Sequence, residues 1–123
     1  MLGTADSSTL GAELGGLTGG SSLLSGSLGQ RRERVVRGIP LDARHADALA
    51  RAAYLERARR FVCGTGTTAG TPALRVGTRL TVAGVGPLFN GDYYVTRTRH
   101  HYDLTHGYRT EFEVERPGIG AAR

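Results

Sequence analysis

The segment 74–116 constrains the fold most, because its last part alternates strictly between two kinds of side chain. One side of such a strand would carry the apolar and small residues Tyr108, Thr110, Phe112 and Val114, and the other side the charged residues Arg109, Glu111, Glu113 and Glu115. A period of two is typical of a half-buried antiparallel strand. The pattern therefore predicts a sheet with one packed face and one face open to solvent or to a partner.

Two turn signals connect this strand to two earlier ones. Gly107 follows the run 93–102, which is rich in aromatic and β-branched residues, and glycine can adopt the positive φ of a hairpin turn. The pair Asn90 and Gly91 is a tight-turn signal between that run and a shorter alternating segment at 79–82. The sequence thus predicts an antiparallel meander of three strands.

One amphipathic helix is predicted before the sheet. Asp42 is placed to cap it or to lie in its first turn, and Gly64 is placed to end it. Its apolar stripe would consist of Ala46, Leu49, Ala50, Ala53, Tyr54 and Phe61. The glycine-rich segment 64–70 that follows lacks the spacing and the lysine of a phosphate-binding loop, so it is interpreted as a flexible connection.

The predicted fold class is mainly β with one helix (α+β), a small antiparallel β-barrel-like domain preceded by an amphipathic helix and a disordered N-terminal tail. Residues 1–30 are dominated by Gly, Ser, Leu and Thr without a sustained period, which predicts disorder. Residues 31–117 would form the helix and barrel module, and residues 118–123 a flexible tail. A chain of 123 residues with 19 glycines and no Trp has a thin core, which favours oligomerisation.

Charge leaves two interpretations open. The 16 basic residues, all of them Arg, outnumber 11 acidic ones. The alternative function is therefore a small basic barrel that binds single-stranded nucleic acid, with Tyr93, Tyr94 and Tyr102 stacking on bases. Because acidic residues are interleaved with the arginines of the helix, a solvated or protein-facing surface is preferred to a nucleic-acid site.

Catalytic, metal and cofactor sites are not expected, and the chain is predicted not to be an enzyme. No serine follows Ser27, which disfavours a serine nucleophile. His100 and His101 are adjacent on a strand and would point to opposite faces, so they cannot share a metal ion without distortion. His101 is the histidine expected to make a buried hydrogen bond to the turn. A role as an enzyme cofactor or peptidoglycan-binding accessory is a further, less favoured alternative.

The glycines, turns and core residues of this segment resemble those of the late control D family of phage-tail hub proteins, and of the VgrG-like spikes of contractile injection systems. The resemblance covers about 39–116 and rests on Gly70, Pro72, Leu74, Arg75, Gly77, Leu80, Val82, Gly84, Gly86, Phe89, Gly91, Tyr93 or Tyr94, Val95, His101, Gly107, Tyr108, Thr110 and Phe112. The structural positions of that pattern are Gly77, Gly84, Gly91, Tyr94, His101, Tyr108, Thr110 and Phe112. The resemblance therefore concerns the fold and the assembly of the protein more than its chemistry.

That resemblance implies a structural protein of a baseplate hub that seats the spike and matches it to the tail tube. The expected partners are two further copies, in a homotrimer, and the spike and tail-tube proteins. The expected assembly interface consists of Arg97, Arg99, Arg109, Glu111, Glu113 and Glu115, since rows of opposite charge set register. The expected location is the cytoplasm during assembly and then the virion or injection particle. The sequence has neither a signal peptide pattern nor an apolar run of membrane-spanning length.

Overall fold

The computed structural model describes residues 2–36 and 38–121. Contacts divide the described chain into two compact units. The first unit holds the residues up to 61 together with residues 117–119, and the second holds residues 62–116 with residues 120 and 121. Within these described residues the elements are a 3-10 helix Ser7–Leu10, α1 Gly11–Leu14, β1 Thr18–Gly19, α2 Gly20–Leu28, α3 Ala43–Ala58, β2 Val62–Ala69, β3 Arg79–Val82, β4 Gly91–Asp103, β5 Gly107–Arg116 and β6 Gly118–Ile119.

The first unit contains the α-helices and a small two-stranded sheet. In that sheet β1 pairs antiparallel with β6, so residues 118 and 119 of the expected tail are part of a strand pair. Residues 7–28, within the segment expected to be disordered, contain the 3-10 helix, α1, β1 and α2. The expected domain boundaries, and the disorder of residues 1–30 in solution, stay predictions; residues 122 and 123 of the expected tail lie outside the described residues.

The longest helix, α3, begins as predicted and ends earlier. The Asp42 side chain accepts a hydrogen bond from the His45 backbone N–H at 2.8 Å, which caps the first turn. The helix ends at Ala58, not at Gly64, and the backbone N–H of Arg59 closes its last turn on the Leu55 carbonyl. The predicted end was wrong because the chain turns at residues 59–61 and enters strand β2.

The second unit is a four-stranded antiparallel sheet that curls into a half-barrel, in the order β2, β5, β4, β3. Strands β3, β4 and β5 are the predicted meander, with Gly107 at a φ of 71° in the hairpin turn. Together the two units are mainly β with short helices, so the predicted α+β class is confirmed.

The glycine-rich segment is a strand and not the flexible connection that was predicted. It forms β2, paired with β5 in one unbroken register from Val62 opposite Arg116 to Ala69 opposite Arg109. Its glycines leave room for the rings of β5: a Cβ atom on Gly66 would lie 2.5 Å from Cζ of Phe112. Rings that cover strand glycines compensate for the absent side chains, and the sequence signal of β2 was hidden because glycine is disfavoured in strands.

One bulge decides which residues of β4 reach the core. The register shifts between Val95 and Arg97, so that Val95 lies opposite Val114 and Thr98 opposite Phe112. Odd-numbered residues therefore face the core before the bulge and even-numbered ones after it. The buried apolar residues of this unit form one cluster made of Leu74, Tyr93, Val95 and Val114.

Candidate functional site

The six residues expected to form an assembly interface lie on one face of the β4–β5 hairpin, which we call the charged face: Arg97, Arg99, Arg109, Glu111, Glu113 and Glu115. Arg97 lies directly opposite Glu113, and Arg99 directly opposite Glu111. Arg109 and Glu115 occupy the two ends of the β5 row, opposite His101 and Tyr94 of β4. The alternation of β5 and the bulge in β4 together bring the two charged rows into register.

The two central pairs are exposed ion pairs. The Arg97 Nη1 atom is 3.3 Å from Oε1 of Glu113, and the Arg99 Nη1 atom is 3.8 Å from Oε2 of Glu111. Both arginine side chains are 71% exposed. Exposed pairs of this kind contribute only about 0–1 kcal/mol to folding stability. The ion pairs of the charged face therefore contribute little to folding stability, and its hydrogen-bond donors and acceptors are accessible to a ligand.

A shallow concavity of about 350 Å³ lies over the centre of this face and extends onto β2. Besides the two ion pairs, Thr65 and Thr67 line it, because Thr65 lies opposite Glu113 and Thr67 opposite Glu111 across the β2–β5 ladder. The concavity thus presents guanidinium donors, carboxylate acceptors and hydroxyl groups that both donate and accept. The threonines were missed because β2 was taken for a loop, although their period-two alternation with Gly64 and Gly66 is a strand signal.

The opposite face of the hairpin carries a hydrogen-bond network centred on His100. Its Nε2 atom is 3.1 Å from the Leu74 carbonyl oxygen, which can only accept, so this nitrogen carries the proton. Its Nδ1 atom is 2.9 Å from Oγ1 of the fully buried Thr110 and 3.1 Å from the Tyr108 hydroxyl. Thr110 Oγ1 in turn accepts a hydrogen bond from the Thr71 backbone N–H at 3.0 Å. This network orders the loop before β3 against the sheet.

His100, and not His101, makes the hydrogen bonds to the loop and to Thr110, and these are partly buried. The bulge reverses the alternation of β4, so that His100 shares a face with Thr110, while His101 lies opposite Arg109 on the charged face. The Nδ1 atom of His101 is buried and has no hydrogen-bond partner. The expectation for His101 failed because a bulge of one residue cannot be read from the alternation of a single strand.

The remaining positions of the expected structural pattern are divided between turns and strand faces. Gly77, Gly84 and Gly91 have φ angles of 88°, 80° and 123°, which favour glycine. Tyr94 is half exposed on the charged face. Tyr108, Thr110 and Phe112 lie on the opposite face of β5. The rings of Tyr108 and Phe112 lie over Gly70 and Gly66, and Thr110 lies opposite His100.

A buried arginine holds the turn before β4. Arg116 is 2% exposed, and its guanidinium donates hydrogen bonds to the backbone carbonyls of Asn90, at 3.0 Å, and Leu88. Its Cζ atom lies 4.5 Å from the centre of the Tyr93 ring, a cation–π contact. Arg116 thus fixes the turn at Asn90 and Gly91 to the end of β5.

Residues 2–36 and 38–121 contain no group of three or more His, Cys, Asp or Glu side chains placed to hold a metal ion. The helices in the same part of the chain are too short or too polar to cross a bilayer.

The comparisons with known proteins give a family. The sequence profile described as the Alg8 N-terminal domain matches residues 4–103, which is most of the chain. The chain belongs to the Alg8 N-terminal domain family. No curated protein and no solved structure matches it.

This membership corrects several expectations. The resemblance to late control D and VgrG-like hub proteins was wrong, and so was the structural role in a phage tail or injection system. Alg8 is a glycosyltransferase family, which contradicts the expectation that the chain is not an enzyme. Its proteins are membrane glycosyltransferases, which contradicts the expected cytoplasmic and virion locations. The resemblance misled because it consisted of turn glycines and core positions, which many unrelated antiparallel sheets share.

The nucleic-acid alternative finds no support either. Of the three tyrosines expected to stack on bases, Tyr93 is only 5% exposed and its ring lies under Arg116. Tyr94 lies on the charged face beside Glu115, where a carboxylate would repel phosphate.

Proposed function

We propose that this chain takes part in glycosyl transfer and that its charged face holds a saccharide. Membership of the Alg8 N-terminal domain family is the observation that carries the proposal, since that family is one of glycosyltransferases. The charged face supplies the place, because it combines a shallow concavity with exposed hydrogen-bonding groups. Such a surface suits a ligand that is flat, polar and rich in hydroxyl groups.

The groups of the face match the hydroxyls of a sugar ring. Carboxylates such as those of Glu111 and Glu113 accept hydrogen bonds from sugar hydroxyls, and the guanidinium groups of Arg97 and Arg99 donate to them. Hydrogen bonds to ionised groups are about twice as strong as neutral ones. The ion pairs also hold these side chains in position before a ligand arrives, which reduces the entropy lost on binding.

The balance of charge favours a neutral saccharide. Three arginines and three glutamates make up the charged face, so its formal net charge is zero. A diphosphate group close to Arg97 or Arg99 would also approach the carboxylate that each one pairs with, at 3.3 Å and 3.8 Å. Like-charge contact of this kind opposes binding. We therefore assign the face to an acceptor or product glycan, in preference to the diphosphate of a sugar donor.

A glycan array tests the proposal. The full chain, labelled at its N-terminus, is applied to an array of neutral, uronic-acid-containing and sulfated oligosaccharides. The expected result is retention on neutral oligosaccharides, reduced about tenfold or more in the double variant Glu111→Ala, Glu113→Ala, which removes both central acceptors.

The control variant is Glu33→Ala, Glu56→Ala, which makes the same change in net charge in the helical unit. It is expected to bind glycans like the unchanged chain. The proposal is contradicted if the chain binds no oligosaccharide, or if the two double variants lose binding equally, since a general effect of charge would then explain the loss.

A further inference from the structure

The charged face continues past the concavity onto a third rung of the β4–β5 hairpin, a rung being two residues that lie directly opposite each other. In this rung Tyr94 of β4 lies opposite Glu115 of β5. Arg79 of β3 lies on the other side of Tyr94, so the ring stands between a cation and a carboxylate. Tyr94 is 50% exposed, and its rung adjoins the end of the concavity that Glu113 lines.

The bulge in β4 puts Tyr94 on the charged face. Tyr94 and Arg97 are three positions apart, and in a regular strand two such residues point to opposite faces. The register shift between Val95 and Arg97 compensates for this, so that Tyr94 and Arg97 both lie opposite glutamates of β5. The charged face thus carries a half-exposed aromatic ring in line with its hydrogen-bonding groups.

We propose that Tyr94 stacks on an additional sugar ring, so that the charged face takes an oligosaccharide laid along the hairpin over three successive rungs. This inference rests on the proposed function, because it extends the same saccharide site. One face of a pyranose ring presents C–H groups with partial positive charge, and the face of an aromatic ring is negative. Stacking leaves the sugar hydroxyls at the ring edge, where Arg79 can donate hydrogen bonds and Glu115 can accept them.

The spacing of the rungs sets the length of the ligand. Glu111, Glu113 and Glu115 alternate along β5, so their rungs are about 7 Å apart. One sugar ring covers about one such interval, and contact with all three rungs therefore requires about three linked sugars. A monosaccharide held at the concavity does not reach Tyr94. The affinity of the face is therefore expected to depend on the length of the oligosaccharide.

Binding of oligosaccharides of increasing length to the full chain tests the inference. The probes are β-1,4-linked series of glucose, mannose and N-acetylglucosamine, from the monosaccharide to the pentasaccharide. Affinity is expected to rise up to the trisaccharide and then to level off. Tyr94→Ala is expected to weaken trisaccharide binding about threefold to tenfold without changing monosaccharide binding. Tyr94→Phe keeps the ring and is expected to bind like the unchanged chain.

The matched control is Tyr102→Ala, which removes a 70% exposed tyrosine of the same strand from the opposite face. It is expected to leave binding at every length unchanged. Binding that does not increase from monosaccharide to trisaccharide, or equal losses in Tyr94→Ala and Tyr102→Ala, would overturn this inference and leave the proposed function standing. Absence of binding at every length would overturn both.

A fluorescent variant makes the same test without removing an aromatic ring. The chain contains no Trp, so Tyr94→Trp introduces a single indole next to the concavity. Its emission is expected to shift when the trisaccharide binds and to stay unchanged with the monosaccharide. In Tyr102→Trp neither sugar is expected to shift the emission. An equal response of the two variants to the trisaccharide would contradict the assignment of Tyr94 to the site.

Discussion

Phe112 of β5 lies over Gly66 of β2, so close that a Cβ atom on Gly66 would stand 2.5 Å from the ring carbon Cζ. The glycine is thus needed for the position of the ring, and the ring fills the space that the glycine leaves. The same relationship recurs at the end of the strand between Tyr108 and Gly70. A segment that lacks ordinary strand residues becomes a strand because the aromatic residues of its neighbour complete its face.

The first prediction concerns these glycines. Gly66→Ala is expected to lower the free energy of unfolding by about 1–3 kcal/mol, because the added methyl group forces the Phe112 ring out of place. Gly64→Ala is the matched control in the same strand, since its Cβ would meet Val114 Cγ2 at an ordinary 3.4 Å. Urea unfolding of both variants checks the prediction. Equal stability of the two variants would show that the ring contact does not matter.

The second prediction concerns the network of His100. Thr110→Val keeps the shape of a fully buried side chain but removes the oxygen that accepts from the Thr71 N–H and bonds His100 Nδ1. The Thr71 N–H and His100 Nδ1 then lose a hydrogen-bond partner, which is expected to lower the free energy of unfolding by about 1–3 kcal/mol. Thr67→Val, the same change on the exposed face of β2, is expected to cost much less. Thermal unfolding of the two variants compares them, and similar midpoints would contradict the role of the network.

The features that the sequence predicts correctly depend on local interactions, whereas the features that it misses depend on contacts across the sheet. The β3–β4–β5 meander and the Asp42 cap depend on local alternation and turns, and both were predicted. Strand β2, the bulge before Arg97 and the choice of His100 over His101 depend on what lies across the sheet, which local patterns do not carry. The charged row of β5 was predicted from the sequence. The residues of the thirteen-residue strand β4 and the threonines of β2 that lie beside this row could be identified only from the folded structure.

The third prediction concerns the buried Arg116. Arg116→Met keeps much of the stem but removes the guanidinium that donates to the Leu88 and Asn90 carbonyls, and is expected to lower the free energy of unfolding by about 2–4 kcal/mol. The Gly120 amide, which donates to the Leu88 carbonyl, is expected to exchange its hydrogen faster. Arg97→Met, in an exposed ion pair, is expected to cost under about 1 kcal/mol. Hydrogen exchange and urea unfolding check both expectations. An equal loss of stability in the two variants would contradict the role of Arg116 in holding the turn.

The fourth prediction concerns pH. Hydrogen bonds to the Asp103 carboxylate, first from the His106 backbone N–H, hold the pKa of Asp103 below its usual value. A lowered pKa means that the contribution of this carboxylate to the hairpin turn is present above the unfolded pKa, about 3.9, and is lost as the pH falls through the folded value. The amide resonances of Thr105 and His106 are therefore expected to shift together in acid. In Asp103→Asn, which cannot ionise, this coupled shift is expected to be absent; its persistence would assign it to another group.

The central claim is that the charged face holds a saccharide, and amide chemical-shift mapping with a neutral oligosaccharide selected on the glycan array tests it most directly. The account predicts shifts at Thr65, Thr67, Arg97, Arg99, Glu111 and Glu113, the residues around the concavity. It predicts little change at His100, Thr110 and Tyr108 on the opposite face. Shifts confined to that opposite face or to the helical unit, or no shifts at a saturating concentration of the oligosaccharide, would contradict it.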